Sequence, residues 1–278
     1  MWLPSGEPVR LRAVCMMTAA FTAAELADDI RRAAADRQRL IVGIAGAPGA
    51  GKSTLADQLD ALLGYDAVLV PMDGFHLSNR VLADLGRQQR KGAPDTFDAC
   101  GYVALLRRLR QQTEDVVYAP TFRRDLEEPI AASVAVFRQT PIVITEGNYL
   151  LLDTQPWSEV REVLDLAWFL EVDHDTRIDR LVARHHAYGK TVQAARDRAE
   201  GNDERNAILV RDSRYRADRI VCIDAATGPE GAHDWGLPSH QVSTNQRRTR
   251  WAPIPAPRLP SCRQPASRSG PTTSAVTD

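Results

Sequence analysis

The chain has 278 residues, with 35 basic and 36 acidic side chains and a formal net charge of −1. This length suits one large α/β domain or two small ones, and the balanced charge gives no reason to expect a polyanionic partner. The four cysteines lie far apart without C-x-x-C spacing, which is typical of reduced thiols in a cytoplasmic protein. No apolar run approaches the ~18 residues of a membrane span.

Composition divides the chain into three parts. Residues 1–20 look irregular, and residues 21–224 carry the alternating helix and strand patterns of a folded domain. From residue 225 onward, eight of the chain's 17 prolines occur among scattered Ser, Thr and Arg, without apolar periodicity. We therefore predict a disordered tail over residues 225–278.

A glycine-rich loop lies between a predicted buried strand, Leu40–Ala45, and a helix with leucines at helical spacing. Backbone N–H groups of such a loop can surround phosphate oxygens, with Lys52 at the β/γ-phosphates of a nucleotide and the Ser53 hydroxyl on Mg²⁺. A glycine-rich turn that binds nothing is the alternative, but the order strand, loop, helix favours nucleotide binding. The pattern G-x-x-x-x-G-K-[ST] is matched by Gly46, Ala47, Pro48, Gly49, Ala50, Gly51, Lys52 and Ser53, with Thr54 following.

Strands and helices alternate along the rest of the domain, which predicts a parallel sheet covered on both faces. Thr22 and Glu25 form a capping box for a first helix that ends near Arg39. Residues 77–98 are polar and predicted to be irregular. The other predicted elements are strands at Ala67–Val70, Val116–Arg124, Pro141–Thr145, Leu166–Val172 and Arg219–Ile223, and helices from Tyr102 to about Arg110, Asp175 to about His186 and Val192 to about Val210.

Two carboxylates follow predicted strands. Asp73 comes after the second strand, and Glu146 ends the strand that begins at Pro141. Ligands of open parallel sheets bind at the carboxyl ends of the strands, so both residues are expected on the edge that carries the phosphate loop. There Asp73 can accept the proton of an attacking hydroxyl, and Glu146 can hold the Mg²⁺ shell. Each could instead be an ordinary turn residue before glycine.

Five motifs in a fixed order resemble the phosphoribulokinase/uridine kinase family, which includes bacterial type I pantothenate kinases. The resemblance spans residues 40–224. The motifs are the loop Gly46–Ser53, Met72-Asp73-Gly74-Phe75-His76, Pro94-Asp95-Thr96-Phe97-Asp98, Glu146-Gly147-Asn148-Tyr149 and Asp175-Thr176-Arg177.

This resemblance implies an ATP:alcohol phosphotransferase with a P-loop NTPase fold: a three-layer α/β/α sandwich with a five-stranded parallel sheet and a mobile helical lid. It implies that Asp73 is the general base, that Ser53 is the main Mg²⁺ ligand and that Glu146 lies nearby. The implied cofactors are ATP and Mg²⁺. The implied partner is a small-molecule alcohol.

The lid is expected over Arg177 to Lys190. Arg177, Arg180 and Arg184 recur at positions that share one helix face, which is typical of a solvated basic surface but also suits transition-state stabilisation by a closing lid. By resemblance, Arg177 and Arg184 are catalytic lid arginines and Lys190 contacts the nucleotide. The neighbouring His185 and His186 are expected at the surface.

The acceptor is not set by the family alone. Uridine kinases carry an Asp at the position of Gly92, a Tyr at the position of Phe122 and an Arg at the position of Leu181, so we expect an acceptor other than uridine or cytidine. Lys91 suggests an anionic or polyhydroxylated acceptor, such as a vitamin carboxylate or a sugar.

Two other functions stay open at this stage. One is a regulatory NTPase, although no base-selecting Asn-Lys-x-Asp occurs; the other is nucleic-acid binding by the arginine-bearing tail, where aromatic residues are sparse. We expect a kinase without nucleic-acid or membrane partners, and leave a homodimer open.

Overall fold

The computed structural model describes residues 20–223, so the predictions for residues 1–19 and 224–278 lie outside the described part of the chain. Six strands form one sheet and two more form a hairpin. In chain order the strands are β1 (Ala20–Phe21), β2 (Leu40–Ala45), β3 (Ala67–Leu69), β4 (Val116–Arg123), β5 (Glu128–Phe137), β6 (Ile142–Gly147), β7 (Leu166–Leu170) and β8 (Arg219–Ile223).

Helices cover both faces of the sheet. They are α1 (Ala23–Ala34), α2 (Lys52–Leu63), α3 (Asn79–Asp84), α4 (Ala99–Gln111), α5 (Ser158–Val163), α6 (His174–Ala187), α7 (Val192–Arg198) and α8 (Glu204–Asp212). The capping box of Thr22 and Glu25 at the start of α1 is confirmed. Within residues 20–223, no helix combines the length and apolar character needed to cross a bilayer.

The sheet is parallel throughout, in the order β1-β8-β7-β2-β6-β3. Successive residues of the central strand β2 face opposite sides because strand side chains alternate. Ile41 belongs to the apolar cluster that includes α4 and α5, whereas Val42 belongs to the cluster of α1 and α2. The predicted parallel sheet with helices on both faces is therefore confirmed.

The sheet has one strand more than predicted. The additional strand, β1, is two residues long and pairs Ala20 with Cys222 and Phe21 with Ile223. Such a short edge strand is held by backbone hydrogen bonds and shows no alternation of polar and apolar residues, so no sequence pattern predicts it.

Two segments differ more strongly from prediction. The long helix predicted from Val192 to Val210 is interrupted by a π-helical turn, Ala199–Asp203, which contains the poor helix formers Gly201, Asn202 and Asp203. The segment 77–98, predicted to be irregular, contains α3, whose first turn is capped by Ser78 Oγ accepting from Val81 N–H.

The hairpin β4–β5 lies against the turn that carries Asp73. Its first strand matches the extended segment predicted at residues 116–124, but β5 was not predicted. Gly74 packs so closely on this hairpin that an added Cβ would lie 2.4 Å from the Pro120 carbonyl oxygen. The same turn is tied to the Pro94–Asp98 motif by the Phe75 carbonyl, which accepts from Asp98 N–H at 2.8 Å.

Gly74→Ala tests this close approach. The new Cβ must displace backbone, so we expect a loss of about 1–3 kcal/mol in the free energy of unfolding, measured by urea denaturation. Gly201→Ala is the matched control, because a Cβ there meets no atom within 4 Å. The control is expected to be neutral or stabilising by up to ~1 kcal/mol. Equal effects of the two variants would contradict the packing argument.

Candidate active site

The phosphate loop connects the end of β2 to the start of α2, as predicted. Gly49 and Gly51 adopt φ of 82° and 98°, in the left-handed region that favours glycine. A Cβ at Gly49 would lie 2.9 Å from the Arg177 carbonyl oxygen and 2.8 Å from Leu181 Cγ, so α6 packs directly on this loop. The open backbone and the following helix N-terminus fit the phosphates of a nucleotide.

Lys52 is the first residue of α2 and its side chain is buried. Its ammonium group donates to the Ala47 carbonyl oxygen at 3.1 Å and to Asn148 Oδ1 at 2.8 Å. Burial lowers the pKa of Lys52 to about 8, against the opposing effect of Glu146 and Asp73. The side chain is thus held beside the loop, where phosphate oxygens would offer it stronger, charged acceptors. Asn148 belongs to the motif Glu146–Tyr149, but sequence reasoning assigned it no role.

Ser53 and Glu146 lie in contact, as a magnesium site formed by these two residues would require. Ser53 Oγ donates to Glu146 Oε1 at 3.1 Å. Burial, followed by repulsion from Asp73, raises the pKa of Glu146. A buried carboxyl group beside a hydroxyl oxygen is a donor set that suits a hard cation such as Mg²⁺, and the cation's charge would favour the ionised carboxylate.

Asp73 lies in the turn Met72–Phe75 beyond β3, with 30% of its side chain exposed. Arg124 Nη2 lies 3.5 Å from Asp73 Oδ2, and His76 Nδ1 contacts the Asp73 carbonyl oxygen at 2.8 Å. His76 in turn stacks against Phe97 and Phe122. The carboxylate is therefore oriented by a cation and also reaches the cavity. Sequence reasoning missed Arg124, because only the hairpin brings it to Asp73.

The arginines of α6 divide into two groups. Arg177 is 2% exposed, donates to the Pro48 carbonyl oxygen at 3.3 Å and pairs with Glu204. Arg180 donates to the Ala50 carbonyl oxygen at 3.3 Å. Both therefore hold the phosphate loop, and a solvated basic face is excluded for Arg177. Arg184 instead lines the cavity, where burial lowers its pKa.

Arg177 was predicted to be catalytic, and its placement does not match that prediction. The Arg177 side chain does not line the cavity, because its guanidinium group is paired with Glu204. Lys190, predicted to contact nucleotide, is exposed and lines the cavity. His185, predicted to lie at the surface, lines the cavity too and bonds Asp203 Oδ2 through Nε2 at 2.7 Å. His186 is exposed.

One cavity of about 540 Å³ joins these groups. Its walls come from the phosphate loop, the carboxyl ends of the strands, the hairpin and the lid. The predicted site residues on its wall are Pro48, Gly49, Lys52, Ser53, Asp73, Glu146, Arg184 and Lys190.

Known proteins resemble this chain in sequence and fold. A crystal structure described as a "putative fructose transport system kinase" from Silicibacter sp. TM1040 superposes with a TM-score of 0.67 at 39% identity, covering 72% of this chain and 99% of that one. The "Putative uridine kinase C227.14" of Schizosaccharomyces pombe is 34% identical, over 66% of this chain and 83% of the relative. "Uncharacterized protein YggC" of Escherichia coli is 34% identical, over 66% of this chain and 78% of its own length.

The fold, the phosphate loop and these neighbours define a P-loop ATP-dependent kinase of the small-molecule class. The model of the phosphoribulokinase/uridine kinase family matches residues 41–221, about two thirds of the chain. The chain belongs to this family, which confirms the resemblance seen in the five motifs.

Lys52→Met tests the role of the buried ammonium group. The loop backbone can still close, but the cation beside the phosphates is lost, so ADP formation should fall by roughly 10²–10³-fold. The measurement is ADP release, with the thermal midpoint recorded to show that the fold is kept. Activity within about tenfold of the parent protein would contradict the assignment.

Proposed function

We propose that this protein transfers the γ-phosphate of ATP to a hydroxyl group of a small molecule, with Asp73 as the general base. The observation that carries the proposal is the shared cavity, which Lys52, Ser53 and Asp73 all line. A donor phosphate on the loop and an acceptor hydroxyl at Asp73 would then face each other. In-line phosphoryl transfer needs this arrangement.

Asp73 can perform the proton transfer because its carboxylate is oriented but still accessible. Arg124 holds one oxygen from a distance of 3.5 Å. A hydroxyl that donates to the Asp73 carboxylate keeps its oxygen free to approach phosphorus. The proton passes to Asp73 as the new P–O bond forms and the bond from the γ-phosphorus to the leaving ADP oxygen breaks. Lys52 and Arg184 supply the positive charge that stabilises the equatorial phosphoryl oxygens.

Ser53 and Glu146 would hold Mg²⁺ beside the loop. Held by these two residues, the cation would supply positive charge that offsets part of the phosphate charge. The hydrogen bond between Ser53 and Glu146 already keeps both oxygens on the same side of the loop.

The acceptor that we propose is a sugar or a pantothenate-like alcohol, with uridine disfavoured. Gly92 and Phe122 both line the cavity, so the two departures from the uridine kinase pattern lie where an acceptor would bind. Leu181 is buried against the phosphate loop and leaves a third contact of that pattern unfilled. The Silicibacter structure, 39% identical, is described as a "putative fructose transport system kinase", which supports testing sugars.

Asp73→Asn tests the general base. The amide keeps the shape and the turn but cannot accept the proton, so ATP should still bind while kcat falls by roughly 10²–10⁴-fold. Turnover is measured as acceptor-dependent ADP release, and ATP binding by calorimetry. Asp84→Asn is the matched control, since Asp84 is exposed and pairs, among residues 20–223, only with Arg80 on α3. Equal turnover of Asp73→Asn and the control would remove Asp73 from the mechanism.

An acceptor panel tests the substrate proposal. The kcat/KM values for nucleosides, sugars, pantothenate and other vitamin alcohols are ranked with ATP and Mg²⁺. We expect uridine and cytidine to rank below the best acceptor, because each missing hydrogen bond at a ribose site costs about 1–3 kcal/mol. Uridine or cytidine in first place would contradict this expectation. ADP release that no acceptor accelerates would favour a regulatory NTPase.

A further inference from the structure

The π-helical turn Ala199–Asp203 places polar side chains where a continuous helix would not. Asn202, Asp203 and the following Asn206 are only 7%, 8% and 5% exposed, which is unusual for these residue types. Asn202 Nδ2 is buried and has no hydrogen-bond partner within residues 20–223. Because π-turns often occur at functional sites, and because the described residues leave the Asn202 amide nitrogen unpaired, the turn is a candidate ligand-binding element.

Two of these residues line the cavity together with His185. His185 Nε2 lies 2.7 Å from Asp203 Oδ2, and Asn206 Nδ2 donates to the Gly92 carbonyl oxygen at 3.3 Å. When Nε2 donates in the neutral imidazole, Nδ1 is left as an acceptor. Asp203 Oδ1 and Asn206 Oδ1 are also acceptors. The three side chains therefore offer mainly acceptors, which suit ligand O–H groups.

Two cations near these residues, Lys91 and Arg198, are engaged by the protein itself. Lys91 Nζ donates to Asn79 Oδ1 at 2.8 Å and to the Glu127 carbonyl oxygen at 2.6 Å, and lies 5.0 Å from the centre of the Phe122 ring. Arg198 donates to the carbonyl oxygens of Gln89 and Lys91. Lys91 was the reason to expect an anionic acceptor, but its ammonium group already has hydrogen-bond partners within the protein. The alternative of a polyhydroxylated acceptor is therefore favoured.

Space for hydroxyl groups lies beside the same residues. A Cβ built on Gly92 meets no atom within 4 Å, so the position that carries an Asp in uridine kinases is open. Asn206 already contacts the Gly92 backbone. The carboxylate that is missing at residue 92 can thus be supplied by Asp203 from another element.

We propose that Asp203, Asn206 and His185 form the specificity-determining subsite for the hydroxyl groups of a neutral sugar or polyol acceptor. This inference rests on the proposed kinase function. The carboxylate of an anionic acceptor brings no hydrogen-bond donor, and its charge would approach the buried Asp203 carboxylate at a cost. Neighbouring hydroxyls of a free sugar instead donate to the acceptors of this subsite while another hydroxyl faces Asp73.

The experiment compares Asp203→Asn and Asn206→Ala with the parent protein. The probes are neutral sugars and polyols (fructose, glucose, ribose, xylitol and glycerol), the anionic alcohols pantothenate and glycerate, and the nucleosides uridine and cytidine. Acceptor-dependent ADP release gives kcat and KM, and calorimetry gives the affinities for ATP and, with a non-hydrolysable ATP analogue, for each acceptor. Asp212→Asn, an exposed acid on α8, is the matched control.

We expect a neutral sugar or polyol to rank first, and both subsite variants to raise its KM by about tenfold or more with a smaller change in kcat. A purely structural defect would lower ATP affinity and the thermal midpoint as well. The Asp212→Asn control should match the parent protein.

Three results would overturn the subsite: an anion or nucleoside in first place, an unchanged acceptor KM in both variants, or the absence of any neutral sugar or polyol that binds. The kinase function is judged separately. It fails if Asp73→Asn keeps full turnover with the best acceptor, whichever compound that is.

Discussion

The parallel register between β2 and β6 is the constraint on which the site depends. It pairs Ile44 with Glu146 and Ala45 with Gly147, so the phosphate loop leaves the sheet next to the Glu146 carboxylate. A slip by one residue would turn the Glu146 side chain to the opposite face of the sheet and separate it from Ser53. The pair that would hold Mg²⁺ therefore exists because two fully buried strands fix each other's register.

The lid helix α6 is fixed at one end and faces the cavity at the other. Near its N-terminus, Arg177 joins the Pro48 carbonyl to Glu204, which also pairs with Arg211 at 2.9 Å. Removing either partner of such a buried charge pair would leave the other charge without a counter-charge, which is unfavourable. These contacts therefore anchor the N-terminal end of α6 to the phosphate loop and to α8. Arg184 lies on the cavity wall near the C-terminus of the helix. One basic face thus anchors the helix through Arg177 and presents Arg184 for the charge stabilisation that we propose.

Several features were predictable because their signals are local. The phosphate loop is recognised from contiguous residues, since glycine conformations, the Lys52 charge and the Ser53 hydroxyl act within a single turn. Asp73 and Glu146 were placed on the same edge of the sheet from one rule, that parallel strands end together. The fixed order of the family motifs along the chain identified further residues of the site. Three features were not predicted: the two-residue strand β1, the strand β5 and the π-helical turn before α8. Their sequence patterns are weak or are overridden by tertiary contacts.

The sequence by itself determined the fold class, the nucleotide loop and the two carboxylates, because each depends on neighbouring residues or on strand periodicity. Only the tertiary structure decided that Arg124 contacts Asp73 and that Arg177 faces inward. It also decided that His185 and Asp203 bond within the cavity. These contacts join segments that are distant in the chain, and their side-chain directions depend on how the hairpin, α6 and the π-turn pack. Short-range patterns carry no information about that packing.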